Sequence, residues 1–589
     1  MLVSTLSVQL ERLRNINSRN ELSAVLSELV KQISSKEAKE LIYLLQCRVA
    51  PKFVPIEFNL ADKQLIKFFS EFLKVPQFDE EYLKYGDMGD TVYYLLKNTS
   101  KESNYNISEL YSDLLTLANT TGKDSVKIKA NLLKGIFDKS DRLSSKYIAR
   151  ILSGNLRLGF SDKTILDALS MYLSGDKSKT DEVERAYGAM SDLGILTEHI
   201  LSKKKLVLSD IHITPGIPVA SKLVEREKDA ESIWERMPNC MVQAKYDGLR
   251  CQIHVIEEGK DIENFKVENT QSSLLVSSPK RVKLFSRNQE ETTDMFPDLV
   301  LEAEKLKVKS VVLDSEVIGI NPKTGKFIPF QETMQRKRKY NISEFAAEIP
   351  VKCMIFDIME LNGKDLSGMK LEERISILEK LFKNVKSDIL TVSENTFIKS
   401  SSELTKLFNK YVAEGLEGVI TKALGTTYDP GTRNFDWIKL KRSSDSKLND
   451  TVDAVVMGYY KGKGSRNEFG VGTILVGSYD KENDKYLTLA KVGTGFSQEQ
   501  LKKVYDDLKG TEIIEKPTNY EISGNLKVDV WVKPSIVVEI EADEITESDL
   551  HTVGYSLRFP RIKLWGRDKD FKDTTTKKEI KRMFELRKK

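Results

Sequence analysis

Apolar residues in roughly the first 205 positions recur at helical spacing, as in Leu22, Val25, Leu26, Leu29 and Val30. Polar breaks fall at Asn98-Thr99-Ser100 and Gly175-Asp176-Lys177-Ser178. A period of three to four residues gives a helix one apolar stripe to bury, so 1–205 reads as an all-α domain. Thr214-Pro215-Gly216-Ile217-Pro218 marks a boundary, beyond which strands and helices alternate to residue 446 as in an α+β domain over 206–446. The polar run Arg442-Ser443-Ser444-Asp445-Ser446-Lys447 suits a hinge. Short strands then come at Ala454–Tyr460, Gly472–Tyr479, Tyr486–Val492 and Val528–Ile540, separated by Gly-containing turns. They predict a small β-barrel of the OB type over 447–589. The stretch Asp261–Lys280 reads as a polar hairpin insertion.

A chain of 589 residues exceeds what one core supports and fits the multidomain reading. Its apolar fraction of 40% and charged fraction of 31% suit a water-exposed surface, and no apolar run approaches the roughly 18 to 20 residues of a membrane span. Met1-Leu2-Val3-Ser4 has no secretion leader behind it, so a cytoplasmic location and no membrane partner are expected. Cys47, Cys240, Cys251 and Cys353 are scattered, which argues against a structural zinc site. A formal charge of +4 is small for this length, so any basic binding surface must be local.

Candidate chemistry starts at Gln243-Ala244-Lys245-Tyr246-Asp247-Gly248-Leu249-Arg250. Alternation on both sides of Asp247-Gly248 reads as strand, turn, strand, with Lys245, Arg250 and Gln252 sharing one concavity. The lysine is then a candidate nucleophile, against an ordinary surface hairpin. In Val311-Val312-Leu313-Asp314-Ser315-Glu316-Val317 the two carboxylates share one face and Leu313 and Val317 the other. They suit Mg²⁺ or a ribose hydroxyl, or equally a solvated acidic face. Glu417 stands at the entrance of an apolar strand that ends at Lys422, where a metal-binding carboxylate fits. Lys439 and Lys441 share a face with Trp437, and their mutual repulsion makes sense around an anion or at a protected sheet edge. Phe356 is a stacking platform or a core side chain. Arg558-Phe559-Pro560-Arg561 packs cations as a polyphosphate or nucleic-acid surface would. In Tyr147–Gly159, Arg150 and Arg157 stand among glycines, suited to a phosphate backbone or simply to solvent.

Taken in order, Lys245-x-Asp247-Gly248, Ser286-Arg287-Asn288, Leu313-Asp314-Ser315-Glu316, Phe356-Asp357, Glu417-Gly418-Val419, Lys439-x-Lys441 and Arg558-x-Pro560-Arg561 resemble the motif set of ATP-dependent DNA ligases of the archaeal and eukaryotic replicative type. Pro329-Phe330-Gln331 with Arg336-Lys337-Arg338-Lys339, and Tyr428-x-x-Gly431-x-Arg433, also resemble that family. The resemblance covers nearly the whole chain. Many ligases have glycine where Ser315 stands, a modest departure.

The resemblance implies a helical DNA-binding domain, an adenylation (nucleotidyltransferase) domain and an OB-fold domain. It implies that Lys245 attacks the α-phosphorus of ATP, passes adenylate to the 5′-phosphate of a nick in double-stranded DNA, and so allows the 3′-hydroxyl to seal the strand. ATP and Mg²⁺ are the implied cofactors. Gln243 is placed at the adenine pocket through its backbone, and Phe356 on the base. Arg250, Arg287 and Arg433 are placed on ribose and phosphate, Glu316 on ribose or metal, and Glu417 on metal. Lys439 and Lys441 are placed on the α-phosphate, Arg558 and Arg561 on pyrophosphate. Cations beside an amine favour its neutral, nucleophilic form. A monomer is expected, and Gln64-Leu65-Ile66-Lys67-Phe68-Phe69 resembles a sliding-clamp docking motif or is an amphipathic core helix. The competing readings are an RNA ligase or capping guanylyltransferase, disfavoured by the long helical domain, and a non-catalytic nucleic-acid-binding relative. An NAD⁺-using ligase is disfavoured because dispersed cysteines cannot form its zinc module.

Overall fold

The structure, a computed structural model, describes residues 1–16, 18–96, 104–257, 282–328, 330–336, 348–441, 451–462, 469–524, 526 and 528–586. The expected break at 98–100, the insertion at 261–280, the hinge at 442–447, Pro329 and the cations at 337–339 lie outside these residues. The chain forms two compact units, Met1–Leu440 and Lys441–Lys589.

Residues up to 205 are helical, from Val3–Arg14 to Leu193–Lys203. Helix Arg19–Lys31 buries Leu22, Val25, Leu26, Leu29 and Val30, the stripe its periodicity predicts. Local chemistry sets the ends. Asn106 caps helix Ile107–Asn119 by accepting from the Glu109 N–H at 2.9 Å, and Glu109 accepts the Asn106 N–H in return at 3.0 Å. The helical part packs directly on the remainder of the first unit: Gln289 donates to Ser191 at 2.7 Å, and Phe53 meets Phe285 edge-on at 6.5 Å between ring centroids. A side chain at Gly188 would strike the Pro430 backbone at 2.6 Å, so glycine permits this close approach.

Among its described residues, the rest of the first unit is built on two sheets. Its strands are β1 (Leu223–Arg226), β2 (Cys240–Lys245), β3 (Leu249–Val255), β4 (Val282–Ser286), β5 (Val311–Gly319), β6 (Val351–Leu361), β7 (Lys364–Asp365), β8 (Leu390–Val392), β9 (Thr396–Phe397), β10 (Gly418–Ala423) and β11 (Arg433–Lys441). One sheet runs β1-β11-β10-β2-β9; the other runs β4-β3-β5-β6-β7, with β8 beside β6. Cys240, Val242, Ala244, Val419, Ile438 and Leu440 pack with residues of helices Ala230–Arg236 and Ser401–Ala413. Cys251, Ile253, Leu313, Val317 and Ile355 form a separate core with helices Pro297–Glu304 and Leu371–Phe382. Period-two alternation therefore turns Gln243, Lys245, Lys422, Trp437 and Lys439 of the first sheet towards Arg250, Asp314 and Glu316 of the second.

The second unit is β-rich. Strand Val452–Lys461 pairs with Val471–Asp480, which pairs with Lys485–Val492. The expected single strand Val528–Ile540 is two, Val530–Val532 and Val537–Glu541, both paired with Val452–Lys461. Pro534 lies in the gap, where it has no N–H to give a ladder. Ile562 N–H donates to the Thr494 carbonyl at 3.1 Å, bringing the last strand, Arg561–Trp565, back towards the third. Among its described residues the unit also has two helices, Gln498–Lys509 and Lys577–Leu586.

Candidate active site

Lys245 is the last residue of β2, and Leu249 the first of β3, in the other sheet. The expected hairpin is thus a crossover: Lys245 pairs with Gly418 and Leu249 with Val317. Non-local pairing overrides the local turn signal here. Gly248 makes the crossing possible, since a Cβ there would lie 2.5 Å from the Val317 carbonyl and 3.0 Å from the Glu316 Cγ. Lys245 is 19% exposed and forms an ion pair with Glu417, whose backbone N–H donates to the Lys245 carbonyl at 3.0 Å.

Across the crevice, Asp314 and Glu316 face Lys245 from β5 but have different neighbours. Arg250 grips Asp314 with Nε at 3.1 Å and Nη2 at 2.6 Å, and Tyr428 donates to the same carboxylate at 2.8 Å. Arg250 also donates to the Lys222 carbonyl at 2.7 Å. Burial pushes the Glu316 carboxyl up to about 7, with Asp314 and Glu417 adding to the rise and Lys245 and Arg250 opposing it. Gln252 does not join this concavity. It is buried further along β3, accepting the Val219 N–H at 2.9 Å and donating to the Val219 carbonyl at 2.6 Å.

Phe356 is partly buried on β6, edge-on to Trp437 at 6.2 Å. Its carbonyl accepts from Gln243 Nε2 at 3.2 Å and Lys422 Nζ at 3.0 Å, so two strands of the first sheet hold it. Lys422 is fully buried, 3.9 Å from the centre of the Trp437 ring and 3.7 Å from Asp357. Burial lowers its ammonium to about 8, although Asp357 pulls the other way. Asp357 is itself forked by Arg374 at 2.9 and 3.1 Å.

The remaining candidates are dispersed. Lys439 lies on the crevice side of β11, and Lys441 ends that strand. Arg433 is 54% exposed, with Glu225 at 3.8 Å. Arg287 is exposed in the turn after β4. In the second unit, Arg558 pairs with Glu544 at 3.1 Å and Arg561 with Asp543 at 2.5 Å. No cluster of three or more His, Cys, Asp or Glu side chains suited to a metal occurs among the described residues. With Asp314 occupied by Arg250, the carboxylates beside Lys245 are Glu316 and Glu417. Two carboxylates suit a hard cation whose other ligands are phosphate and water.

The chain matches three families along its length: residues 2–170 the DNA ligase N terminus, 274–441 the ATP dependent DNA ligase domain, and 467–569 the ATP dependent DNA ligase C terminal region. It is 39% identical to a probable DNA ligase of Dictyoglomus turgidum, covering 100% of this chain and 98% of that one. The chain belongs to the ATP-dependent DNA ligases. The DNA ligase of Thermoplasma volcanium is 34% identical, over 98% of this ligase and 97% of its own length, and that of Saccharolobus solfataricus is 34% identical over 98% and 96%. The solved structure Pmar-Lig_PreS3 shares the fold, with a TM-score of 0.54 at 18% identity over 95% of this ligase and 98% of that chain.

Two segments of the ligase whose sequence left two readings are settled by their burial. Leu65, Phe68 and Phe69 of the segment read as a clamp motif or a core helix are buried, Phe69 stacked on Phe78 at 5.6 Å and edge-on to Phe137 at 5.0 Å. The segment is an amphipathic core helix, Asp62–Leu73, as the second of its two readings has it. Arg150 is buried too, bonded to Asp87 at 3.0 Å and Asp90 at 3.1 Å, while Arg157 remains 44% exposed beside Asp87. The segment around Arg157, Gly154 and Gly159 lines a cavity of about 270 Å³ with Lys52 and Cys47. Among the described residues no helix is long and apolar enough to cross a membrane.

Proposed function

We propose that Lys245 is the nucleophile of this DNA ligase. Its amine attacks the α-phosphorus of ATP, a P–N bond forms as the bond to pyrophosphate breaks, and the displaced amine proton leaves to solvent. The 5′-phosphate of a nick in duplex DNA then takes the adenylate and frees the lysine. Attack by the 3′-hydroxyl on that phosphate expels AMP and closes the strand. The observation that carries this reading is the meeting, at one sheet crossover, of Lys245 with Glu316 and Glu417.

Phe356 and Gln243 line the base side of the pocket in this reading, and Lys439 and Lys441 balance phosphate charge as the transfer proceeds. Arg250 acts through Asp314 and the ribose side, with Arg433 and Arg287 reaching nucleotide or DNA phosphates. Mg²⁺ held between Glu316, Glu417 and the phosphates would neutralise charge on the transferring group. Residues 1–205 bind DNA, 206–446 carry adenylation and 447–589, with Arg558 and Arg561, meet the pyrophosphate; the enzyme acts as a monomer. Incubation with α-labelled ATP and Mg²⁺ tests the reading. Acid-labile label appears on the wild-type chain and is absent from Lys245→Ala; label persisting in that variant overturns the assignment.

A further inference from the structure

Gln243 is 3% exposed, and its amide is held from two sides. Nε2 donates to the Phe356 carbonyl at 3.2 Å and to Asn395 Oδ1 at 2.7 Å, which uses both of its hydrogens. Asn395 in turn donates through Nδ2 to Glu379 at 3.0 Å. The polarity of this relay is set by its ends. A backbone carbonyl and a carboxylate only accept, so the amide nitrogens must point at them, and Asn395 is left presenting oxygen to Gln243. Rotating the Gln243 amide by half a turn would set oxygen against two oxygens. Among the described residues, nothing donates to Gln243 Oε1. That oxygen is left with its accepting capacity unused by the protein, so a ligand bearing an N–H can take it without breaking a bond of the fold.

We propose that Asn395, braced by Glu379, is a specificity-determining positioning residue that fixes the Gln243 amide with Oε1 as an acceptor for the exocyclic amino group of adenine. Guanine carries a carbonyl oxygen at the corresponding position, so the same orientation turns two acceptors against each other. The inference rests on the reading of Gln243 and Phe356 as the base side of the pocket, and it assigns the discrimination to the side chain rather than the backbone. Asn395 is only partly buried and Glu379 is exposed, so both can be changed with little cost to folding.

The test compares kcat/KM for formation of lysyl-nucleotide from labelled ATP and labelled GTP. Wild type strongly prefers ATP. Asn395→Leu, which cannot accept from Gln243, narrows the ATP-to-GTP ratio by at least about tenfold. Asn395→Asp combined with Glu379→Gln rebuilds the relay and restores the wild-type ratio. A merely structural role lowers both nucleotides alike and leaves the ratio unchanged; that outcome, or a wild type indifferent to the base, overturns the proposal. Failure of the parent reading is separately visible, because the wild type would then carry no label on Lys245 with either nucleotide.

Discussion

Lys245 and Glu417 hold each other twice, through the backbone bond from Glu417 N–H to the Lys245 carbonyl at 3.0 Å and through an ion pair between their side chains. The first contact fixes where the lysine leaves its strand. The second occupies the group that has to attack phosphorus, so it must open during the reaction, and a cation bound at Glu417 would open it. Glu417→Gln keeps the size of the side chain and removes its charge. The half-saturating Mg²⁺ concentration for lysyl-adenylate formation should rise by at least about tenfold, the loss that even groups behind a metal's direct ligands can cause. An unchanged Mg²⁺ requirement would rule out Glu417 as a metal ligand.

Gly248 has no room for a side chain, because the nearest obstacle, the Val317 carbonyl at 2.5 Å, belongs to the backbone of β5 and cannot rotate away. Gly248→Ala must therefore move the crossover or the strand. Overpacking of this kind costs about 1 to 3 kcal/mol. Displacing a nucleophile by about 1 Å can cost on the order of 100-fold in rate. Lysyl-adenylate formation should fall by far more than the change in melting temperature explains, and activity equal to wild type would show that the crossover tolerates a Cβ.

Period two made the faces of Lys245, Asp314 and Glu316 readable from sequence, because alternation fixes which side chains share a face; Phe356 was read from residue type and from the resemblance. It could not say which strands pair. The Asp247-Gly248 signal suggests a hairpin, yet β2 and β3 belong to different sheets, a choice made by residues as distant as Gly418 and Val317. Lys422 stood at the exit of a readable strand, but its burial depends on Trp437 and Asp357 arriving from elsewhere. Asn395 and Glu379 carried no signal, since a relay of amides has no fixed spacing. At Gln64–Phe69 the sequence left two readings, because aromatic residues at helical spacing suit a core as well as a partner; the structure makes the segment a core helix.

His254 ties the stability of the first unit to pH. It is fully buried, accepts the Gly216 N–H on Nδ1 at 3.1 Å, and sits 3.3 Å through Nε2 from Gln252 Oε1. Burial, with a smaller contribution from Lys283, lowers its pKa to about 3. The unfolded chain takes up a proton near pH 6.5, but the folded chain does not until far lower, so stability is lost as pH falls through that window. The slope is about 1.4 kcal/mol per pH unit, or roughly 2 kcal/mol between pH 6.5 and 5. Hydrogen exchange across β3 should accelerate accordingly on acidification, and His254→Gln should remove that part of the slope. The same slope in both proteins would exclude His254 as its source.

Lys422 ties nucleotide binding to pH in the opposite direction. Its ammonium donates to the Phe356 carbonyl at 3.0 Å, behind the ring assigned to the base, and faces Asp357 from β6, Asp314 from β5, Arg250 from β3 and Arg374 from helix Leu371–Phe382. Asp357 and Asp314 already serve the two arginines, so no carboxylate belongs to Lys422 alone. With its pKa lowered to about 8, the lysine is charged below that pH and neutral above it. Losing the charge weakens one hydrogen bond by about 1 kcal/mol, and the KM for ATP should rise about fivefold between roughly pH 7 and pH 9. Lys422→Met should show the raised KM at both pH values, with kcat following wild type because the side chain does not touch the reacting phosphate. A KM for ATP that climbs with pH as steeply in Lys422→Met as in wild type would place the titrating group elsewhere.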